Sequence, residues 1–436
     1  MNKKLPLISL FIMSIVSIFY WVLKPKEELY EAKWNAPDTT LAITIDGEIS
    51  TTFPTKKNYT TSITCTSGTG NIEWNGSKWI LTTSGITKGS TKCNVIFKLQ
   101  TFAETILANN EVKTPITTPG ATVSTASEAL LASVEDDYGT SYYFRGAVKN
   151  NYVQFANKCW RIVRVGGDGS VKLILHNDNT TGAANPCDAA NNSTSAAFAR
   201  YNTQYTDYHS YTSAFNKKYD DNAYVGFMYG TAGANTYEAT HANTNKSTIL
   251  TNLETWYNNN LKTYADAIAD TVWCNDKTSV TDTSYNTYRG YLVNNVNGYG
   301  YAKNVKYYGA TQRLVSTSKS AGGTGPSLKC NGELSKITSK IGLITADELA
   351  LAGYAYNIGN TTTYLQENAT DIWWWSLSPG IFNGSRAVVW SVISSSGYID
   401  SYNVDYTYGV RPSISLKSTT NATGNGTSDS PYIIST

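Results

Sequence analysis

Between Ile381 and Tyr408 the sequence concentrates side chains that could hold a ligand. Aromatic rings there are interspersed with amides, carboxylates and a guanidinium. Aromatic faces stack on sugar rings or on peptides, and neighbouring amides and carboxylates supply directed hydrogen bonds. We therefore expect the ligand-binding residues to be Phe382, Asn383, Arg386, Trp390, Tyr398, Asp400, Tyr402, Asn403, Asp405 and Tyr406.

The same stretch also has a purely structural interpretation. Val388, Trp390 and Val392 occupy alternate positions, which is the spacing of one face of a β-strand. That spacing favours a buried Trp390, and the tyrosines would then fill the core of a loop-rich domain. The tryptophan run at 373–375 is expected in the core. The sequence leaves the binding and the structural interpretations of 381–408 both open.

Metal binding and cofactor chemistry find little support in the sequence. The three histidines are His176, His209 and His241, and no two of them form an HxH or HxxxH pair. Catalytic metal sites need ligands clustered at characteristic spacings. We therefore expect no metal site, no cofactor and no catalytic residue. The calcium motifs of lectins are also absent, which argues against calcium dependence.

Two compact acidic sets keep an enzyme acting on polysaccharide as an alternative function, because paired carboxylates can cleave glycosidic bonds. They are Asp347 with Glu348, and Asp400 with Asp405. Thr345 precedes Glu348 by the spacing of a helix capping box, which explains this glutamate without catalysis. Neither set has a spacing in the sequence that is diagnostic of a glycoside hydrolase.

Six cysteines indicate an oxidising compartment. None lies in a CxxC pair, which disfavours a zinc ribbon or a thioredoxin-like site. An even number of cysteines in an exported chain predicts three disulfides. Other pairings remain open, but the nearest-neighbour scheme joins Cys65 to Cys93, Cys159 to Cys187, and Cys274 to Cys330.

The N-terminus predicts a single-pass membrane anchor. Residues 5–23 carry no charged side chain, and as a helix they would span about 28 Å, close to the thickness of the bilayer core. Lys3 and Lys4 precede this segment, so we expect residues 1–4 in the cytoplasm and the bulk of the chain outside the cell. A cleaved signal peptide is the alternative, but residues 19–23 are bulky and offer no small-residue cleavage site.

Composition disfavours nucleic acid as a partner. Charged residues make up 16% of the chain and the net charge is +2, so no strong positive field would attract phosphate groups. Beyond the anchor, the pattern divides the chain into four parts. These are a charged stalk (24–37), an immunoglobulin-like β-sandwich (38–100), a helix and linker (101–133), and a larger domain (134–436).

Turn and capping motifs locate several elements. Asp-Gly at 46–47 and Asn-Gly at 75–76 separate alternating apolar runs, which predicts β-hairpins. Apolar residues between Ile249 and Ile268 recur at steps of three and four, which predicts a helical region. A second helix should begin after Thr345 as N-cap and end at Gly353.

The larger domain contains four blocks of characteristic residues. They are Cys159–Val165, 249–261, Ile341–Glu348, and Trp374–Pro379 followed by Ser396-Gly397 and Gly409-Val410-Arg411-Pro412. These blocks resemble a domain family of unknown function found in bacterial surface proteins. Where that family usually has Arg, this sequence has Leu377, so a role for that Arg does not carry over. The order of the blocks is also similar to the C-type-lectin-like fold shared with formylglycine-generating enzymes. The exported chain further resembles uncharacterised anchored proteins of gut Gram-positive bacteria.

Together these patterns predict a fold class and a function. The fold class is an N-terminal transmembrane helix, an all-β sandwich domain, and an α+β C-type-lectin-like domain with long loop insertions. The predicted function is that of an adhesin-like cell-surface protein, which binds a glycan or protein ligand without chemistry. A polysaccharide-acting enzyme and a structural cell-surface component are the alternatives.

Overall fold

The chain divides into two compact units, one ending at Gln100 and the other beginning at Thr101. Each unit has a hydrophobic core of its own. The residues described by the computed structural model are 29–31, 40–200, 212–285 and 304–434.

Within its described residues the first unit is built from β-strands. Its strands are β1 (Leu29–Glu31), β2 (Thr40–Ile45), β3 (Glu48–Ser50), β4 (Thr52–Pro54), β5 (Tyr59–Cys65), β6 (Thr69–Trp74), β7 (Trp79–Ser84) and β8 (Lys92–Leu99). A four-stranded sheet has the order β3-β2-β8-β5, with β2 and β8 parallel. Strands β6 and β7 form a separate hairpin.

Alternating burial along β8 explains why this sequence forms a sheet with one covered face. Val95 and Phe97 are fully buried, whereas Asn94, Ile96 and Lys98 face outwards. Phe97 packs against Trp79, with 5.3 Å between ring centroids. The Cys65–Cys93 disulfide joins residues that pair directly across β5 and β8. It closes a loop with a sequence separation of 28, which stabilises such a domain by about 3–4 kcal/mol in the chain-entropy model.

The second unit combines many strands with short helices. Its strands are β9 (Ala129–Asp136), β10 (Gly139–Gly146), β11 (Tyr152–Phe155), β12 (Lys158–Val165), β13 (Val171–Asn177), β14 (Thr212–Ala214), β15 (Met228–Tyr229), β16 (Asn245–Lys246), β17 (Thr271–Cys274), β18 (Lys306–Tyr307), β19 (Lys336–Ser339), β20 (Trp374–Phe382), β21 (Ala387–Ile393), β22 (Tyr398–Asn403), β23 (Thr407–Gly409), β24 (Ser413–Leu416), β25 (Ala422–Thr423) and β26 (Tyr432–Ile434). Its α-helices are α1 (Phe102–Asn109), α2 (Tyr237–His241), α3 (Thr248–Asn260), α4 (Gly309–Leu314) and α5 (Ala346–Ala352). Short 3₁₀ turns lie at Ala189–Asn191, Asn222–Val225, Lys262–Tyr264 and Glu333–Ser335.

Two sheets organise the second unit. Sheet A has the order β24-β13-β12-β11-β26-β25, and β10 joins it by pairing with β12 and β9. All of β13 and nearly all of β12 is buried, so these strands are apolar runs covered on both faces rather than strictly alternating ones. Helix α1 docks on this sheet through Phe102, whose ring lies 5.3 Å from that of Tyr432 on β26.

Sheet B has the order β14-β23-β20-β21-β22, with β18 paired to β20. Every residue of β20 and β21 is buried. Trp374 and Trp375 are fully buried, whereas Trp373 is partly exposed. Pro379 sits inside β20 at a point where the register with β21 shifts, which is where a strand tolerates proline because a ladder hydrogen bond is already lost.

Arg411 links the two sheets. The chain passes from β23 in sheet B to β24 in sheet A at this residue, whose side chain is fully buried. Its guanidinium donates to the carbonyl oxygens of Leu175 on β13 (3.1 Å) and Leu365 (2.6 Å). It also lies 4.6 Å from the ring centroid of Trp374 on β20. Burial lowers the pKa of Arg411 to about 10, so the group is still charged at neutral pH.

Two disulfides and a helix cap complete the second unit. Cys159 pairs with Cys187 and Cys274 with Cys330, so every cysteine of the chain is paired. The capping box expected at Thr345 is confirmed, since its hydroxyl accepts from the α5 backbone while its own N–H donates to a glutamate of the first turn.

The predicted fold class is wrong in two respects. Residues 5–23, expected to form a transmembrane helix, lie outside the described residues, as does most of the stalk at 24–37. Within the described part, no helix is long and apolar enough to cross a bilayer, so single-pass anchoring in a membrane is not supported. Of the described residues, 37% lie in β-strands and 15% in helices, so the predicted α+β C-type-lectin-like domain is replaced by a β-rich unit built around two main sheets.

We expect Arg411→Met to destabilise the second unit strongly. The substitution keeps an apolar stem but leaves two buried carbonyl oxygens without a charged donor, and hydrogen bonds to charged groups contribute about 1.5–3 kcal/mol each. The free energy of unfolding in urea should fall by about 3–5 kcal/mol. Arg386→Met, at a partly exposed guanidinium, is the control and should cost less than about 1 kcal/mol. Equal losses for the two variants would contradict the role of Arg411.

Candidate functional site

A surface cleft of about 400 Å³ lies where β20, β21 and β22 of sheet B meet the turn that follows β22. We name it the aromatic cleft. Sites for small ligands usually enclose about 300–1,000 Å³, so its size suits a small ligand. Its lining is Ile381, Asn383, Val388, Asp400, Ser401, Tyr402, Asn403 and Tyr406.

Strand pairing brings the polar part of this lining together. Strand β22 runs antiparallel to β21, so that Asn403 lies opposite Val388. Asp400 and Tyr402 are two positions apart on β22 and therefore point to the same face of the sheet. Both are partly exposed, whereas Ile399 between Tyr398 and Asp400 is fully buried. The sequence pattern of the strand thus places a carboxylate and a phenol side by side at the surface.

The tyrosines of the cleft belong to a packed aromatic cluster. Ring centroids are 5.0 Å apart between Trp373 and Tyr402, and 4.7 Å apart between Trp375 and Tyr408. Tyr406 packs edge-on against Tyr408 at 6.1 Å. Such tilted and edge-on pairs are favourable geometries for aromatic rings. These contacts hold the tyrosine rings in fixed orientations.

Tyr408, which packs against Tyr402 and Tyr406, has an uncharged phenol group at neutral pH. Burial raises the pKa of Tyr408 well above its ordinary value, and Tyr402, Tyr406 and Asp400 nearby raise it further. A protonated phenol can donate or accept a hydrogen bond. Among the described residues that line the cleft, Asp400 is the acidic side chain.

A turn and an ion pair form the rim of the cleft. The side-chain oxygen of Asn383 accepts hydrogen bonds from the backbone N–H of Ser385 (3.1 Å) and of Arg386 (2.8 Å). Arg386 in turn pairs with Asp405 at 3.0 Å and lies 4.5 Å from the ring centroid of Tyr219. Arg386 and Asp405, which we expected to bind a ligand, thus form an ion pair with each other beside the cleft.

The remaining predicted residues lie elsewhere. Phe382 and Trp390 are fully buried in sheet B. Their side chains therefore have no exposed surface that a ligand could contact. The ring of Trp390 meets that of Tyr356 at 5.9 Å. Tyr398 is partly exposed at the start of β22, outside the lining of the cleft.

A buried ion-pair network, which the sequence interpretation missed, lies apart from the aromatic cleft. Arg164 contacts both Asp136 and Glu348 at 2.9 Å, and Lys172 contacts Glu348 at 2.7 Å. No local spacing predicts these pairs, since Arg164 and Glu348 are 184 positions apart. The available signal was the presence of charged residues inside the apolar strands β12 and β13.

Arg313 forms the second half of this network. It makes two parallel hydrogen bonds to Asp347, of 2.6 and 2.9 Å, and a third of 2.7 Å to Asp276. Bidentate pairs of this kind are among the strongest charge-assisted hydrogen bonds. Together with Cys274 and Cys330, these charges line a small polar pocket. Each buried carboxylate there is matched to a cation, which makes the network a structural element.

The state of Glu348 agrees with a structural role. Burial by itself would raise the pKa of Glu348, but Lys172, Arg164 and the N–H of Thr345 together lower it to about 2. A general acid in glycoside hydrolysis needs a raised pKa so that it is protonated when the substrate arrives. Glu348 is instead held ionised, and its carboxylate caps helix α5.

The histidines do not form a site among the described residues. His176 and His241 are fully buried in separate surroundings. Burial lowers the pKa of His176 well below its ordinary value, and burial with Lys277 and Lys306 nearby lowers that of His241 to about 3. His209 lies outside the described residues. In the part of the chain that is described, no three His, Cys, Asp or Glu side chains are placed to hold a metal ion.

We expect Glu348→Gln to destabilise the protein less at pH 3 than at pH 7. A pKa lowered on folding contributes stability above about pH 4.5, and this contribution is lost as the pH falls towards 2. At pH 7 the variant leaves Lys172 without its buried partner and should lose about 3–5 kcal/mol in urea unfolding. Glu333→Gln, at an exposed glutamate, is the control. Equal destabilisation at both pH values would exclude the assigned charge state.

Comparison with known proteins bears on part of the second unit. The model of a protein family described as a domain of unknown function (DUF6273) matches residues 249–418. This range begins within α3 and extends past β24, so it includes the aromatic cleft. No curated protein and no solved structure matches the chain. The chain therefore contains a DUF6273 domain, a match that brings no substrate or partner with it.

Proposed function

We propose that this chain is an extracellular protein that binds a glycan or protein ligand in the aromatic cleft. The observation that carries the proposal is the convergence of five candidate residues on one concave surface: Asn383, Asp400, Tyr402, Asn403 and Tyr406. A cleft lined by pre-packed aromatic rings and by amide and carboxylate groups is what a directional, non-covalent ligand site requires.

The disulfides support the extracellular part of the proposal. All six cysteines form disulfides, and such bonds persist in oxidising surroundings, where secreted and surface proteins occur. The low charge of the chain and the two tyrosines in the lining of the cleft are also suited to binding, because tyrosine offers a large rigid contact area at a small entropic cost.

The carboxylates favour binding over catalysis. Glycoside hydrolysis uses two carboxyl groups that face one substrate. Asp347 and Glu348 are committed to buried cations, and Asp405 is paired with Arg386. Among the described residues that line the aromatic cleft, Asp400 is the acidic side chain, so these residues provide one carboxylate where the reaction needs two.

The proposal is tested by screening the purified chain against arrays of glycans and of extracellular proteins. Binding should be found, and Tyr406→Ala should weaken it at least about fivefold, because the dominant residues of an interface contribute more than about 1 kcal/mol. Tyr138→Ala removes a tyrosine that is 59% exposed outside the cleft and should bind like the unsubstituted chain. Binding that is absent, or that both variants retain equally, would overturn the assignment of the site.

A further inference from the structure

We propose that two copies of this chain pair edge to edge through strand β5 of the first unit and so form one continuous sheet across a two-fold axis. The pairing concerns the first unit alone and does not depend on ligand binding in the aromatic cleft. It is carried by the place of β5 in its sheet, by the unpaired backbone groups along its outer side, and by its uncharged side chains.

Strand β5 lies at the edge of its sheet. The order β3-β2-β8-β5 places it at one end, where β8 is its partner among the described strands. The neighbouring hairpin of β6 and β7 forms a separate sheet. Thr61 and Ile63 on the core side of β5 are only partly buried, whereas Val95 and Phe97 on the core side of β8 are fully buried. This difference is expected when the outer side of a strand is uncovered.

The backbone of β5 presents unpaired groups along that outer side. Just beyond the ladder of β5 and β8, the N–H of Thr66 donates to the carbonyl oxygen of Lys92 at 2.9 Å. Antiparallel ladders alternate between pairs that exchange hydrogen bonds and pairs that do not, so the even-numbered positions of β5 bond to β8. Thr61 and Ile63 therefore direct their N–H and C=O groups away from β8, and these groups have no hydrogen bond to any residue that the structure describes.

Strand β5 also lacks the features that usually protect an edge. Proteins blunt their edge strands by short length, charged side chains, proline or a bulge. Strand β3, at the other end of the sheet, has three residues and begins with Glu48. Strand β5 has seven residues without charge or proline, and it pairs with β8 in an unbroken register. A long, uncharged edge of this kind is a template for another strand.

A second copy of β5 matches this edge. Ser62 is the middle residue of the strand, and in an antiparallel pair centred on it Thr61 lies opposite Ile63 of the second copy. The outward-facing groups of these two residues then exchange hydrogen bonds. The exposed side chains that meet across the pair are Thr60, Ser62 and Thr64, so no like charges face each other. A two-fold pair uses the same edge of both copies and closes on itself.

The test is sedimentation equilibrium of the purified chain over a series of concentrations. A single pair of strands is small beside a standard interface of about 1,600 Å², so the association should be weak and reversible. The average molar mass should rise from one chain towards two as the concentration increases. Ser62→Lys places like charges directly opposite each other at the two-fold axis and should weaken the association at least about fivefold.

A charge-reversed variant and a matched control locate the contact. Ser62→Glu should weaken self-association as Ser62→Lys does, but a mixture of the two variants should associate again because opposite charges then face each other. Ala42→Lys adds the same charge on the same exposed face of the sheet, on the inner strand β2, and should associate like the unsubstituted chain. Thermal unfolding of each variant verifies that the fold is intact, as expected for exposed positions.

The outcomes decide the pairing independently of the proposed function, since no ligand takes part. A chain that stays monomeric at every concentration overturns it. Association that survives both substitutions of Ser62, or that Ala42→Lys weakens equally, shows that another surface is used and overturns the role of β5. Recovery in the mixture of the Lys and Glu variants supports it. A failed glycan or protein array would leave each of these results unchanged.

Discussion

The second unit depends on a buried positive charge that has neutral partners. The guanidinium of Arg411 is fully enclosed, and its hydrogen bonds go to two backbone carbonyl oxygens while its face rests on Trp374. A buried charge is costly unless its donors are satisfied, so the surrounding chain has to present those carbonyls in fixed positions. One carbonyl belongs to β13 of sheet A, and Trp374 belongs to β20 of sheet B. The side chain of Arg411 therefore contacts both sheets at the place where the chain passes from one to the other.

That constraint extends to the aromatic cleft. Strand β20 is held by Arg411 at its start and contributes Ile381 to the cleft near its end. It also pairs with β21, which pairs with β22, the strand that carries Asp400 and Tyr402. Small ligands need their contacting groups held in position by a rigid scaffold. The two wholly buried strands β20 and β21, which lie beside the partly exposed β22 in the same sheet, provide such a scaffold.

Charge is distributed differently in the core and in the cleft. The ion-pair network around Glu348 and Arg313 matches buried carboxylates to buried cations, which holds distant segments together but leaves little chemistry available. Beside the cleft, Arg386 pairs with Asp405. The described lining itself carries the side chains of Asp400, Asn383, Asn403 and Ser401 next to the tyrosines. This mixture of polar and aromatic side chains is what supports the proposed ligand site.

The sequence by itself determined the features that depend on neighbours along the chain. The alternation in β8, the capping box at Thr345 and the aromatic and amide residues of 381–408 were readable because strand periodicity, helix caps and composition are local properties. Tertiary structure decided which of those residues face outwards. Phe382 is buried and Asn383 lines the cleft although they are adjacent, because β20 is covered on both faces up to its last residue. Local sequence patterns did not predict the ion pair between Arg164 and Glu348. They also did not predict that Arg411 would be buried in contact with both sheets. The partners of these residues are brought together by strand order, and strand order is set by contacts between segments far apart in the chain.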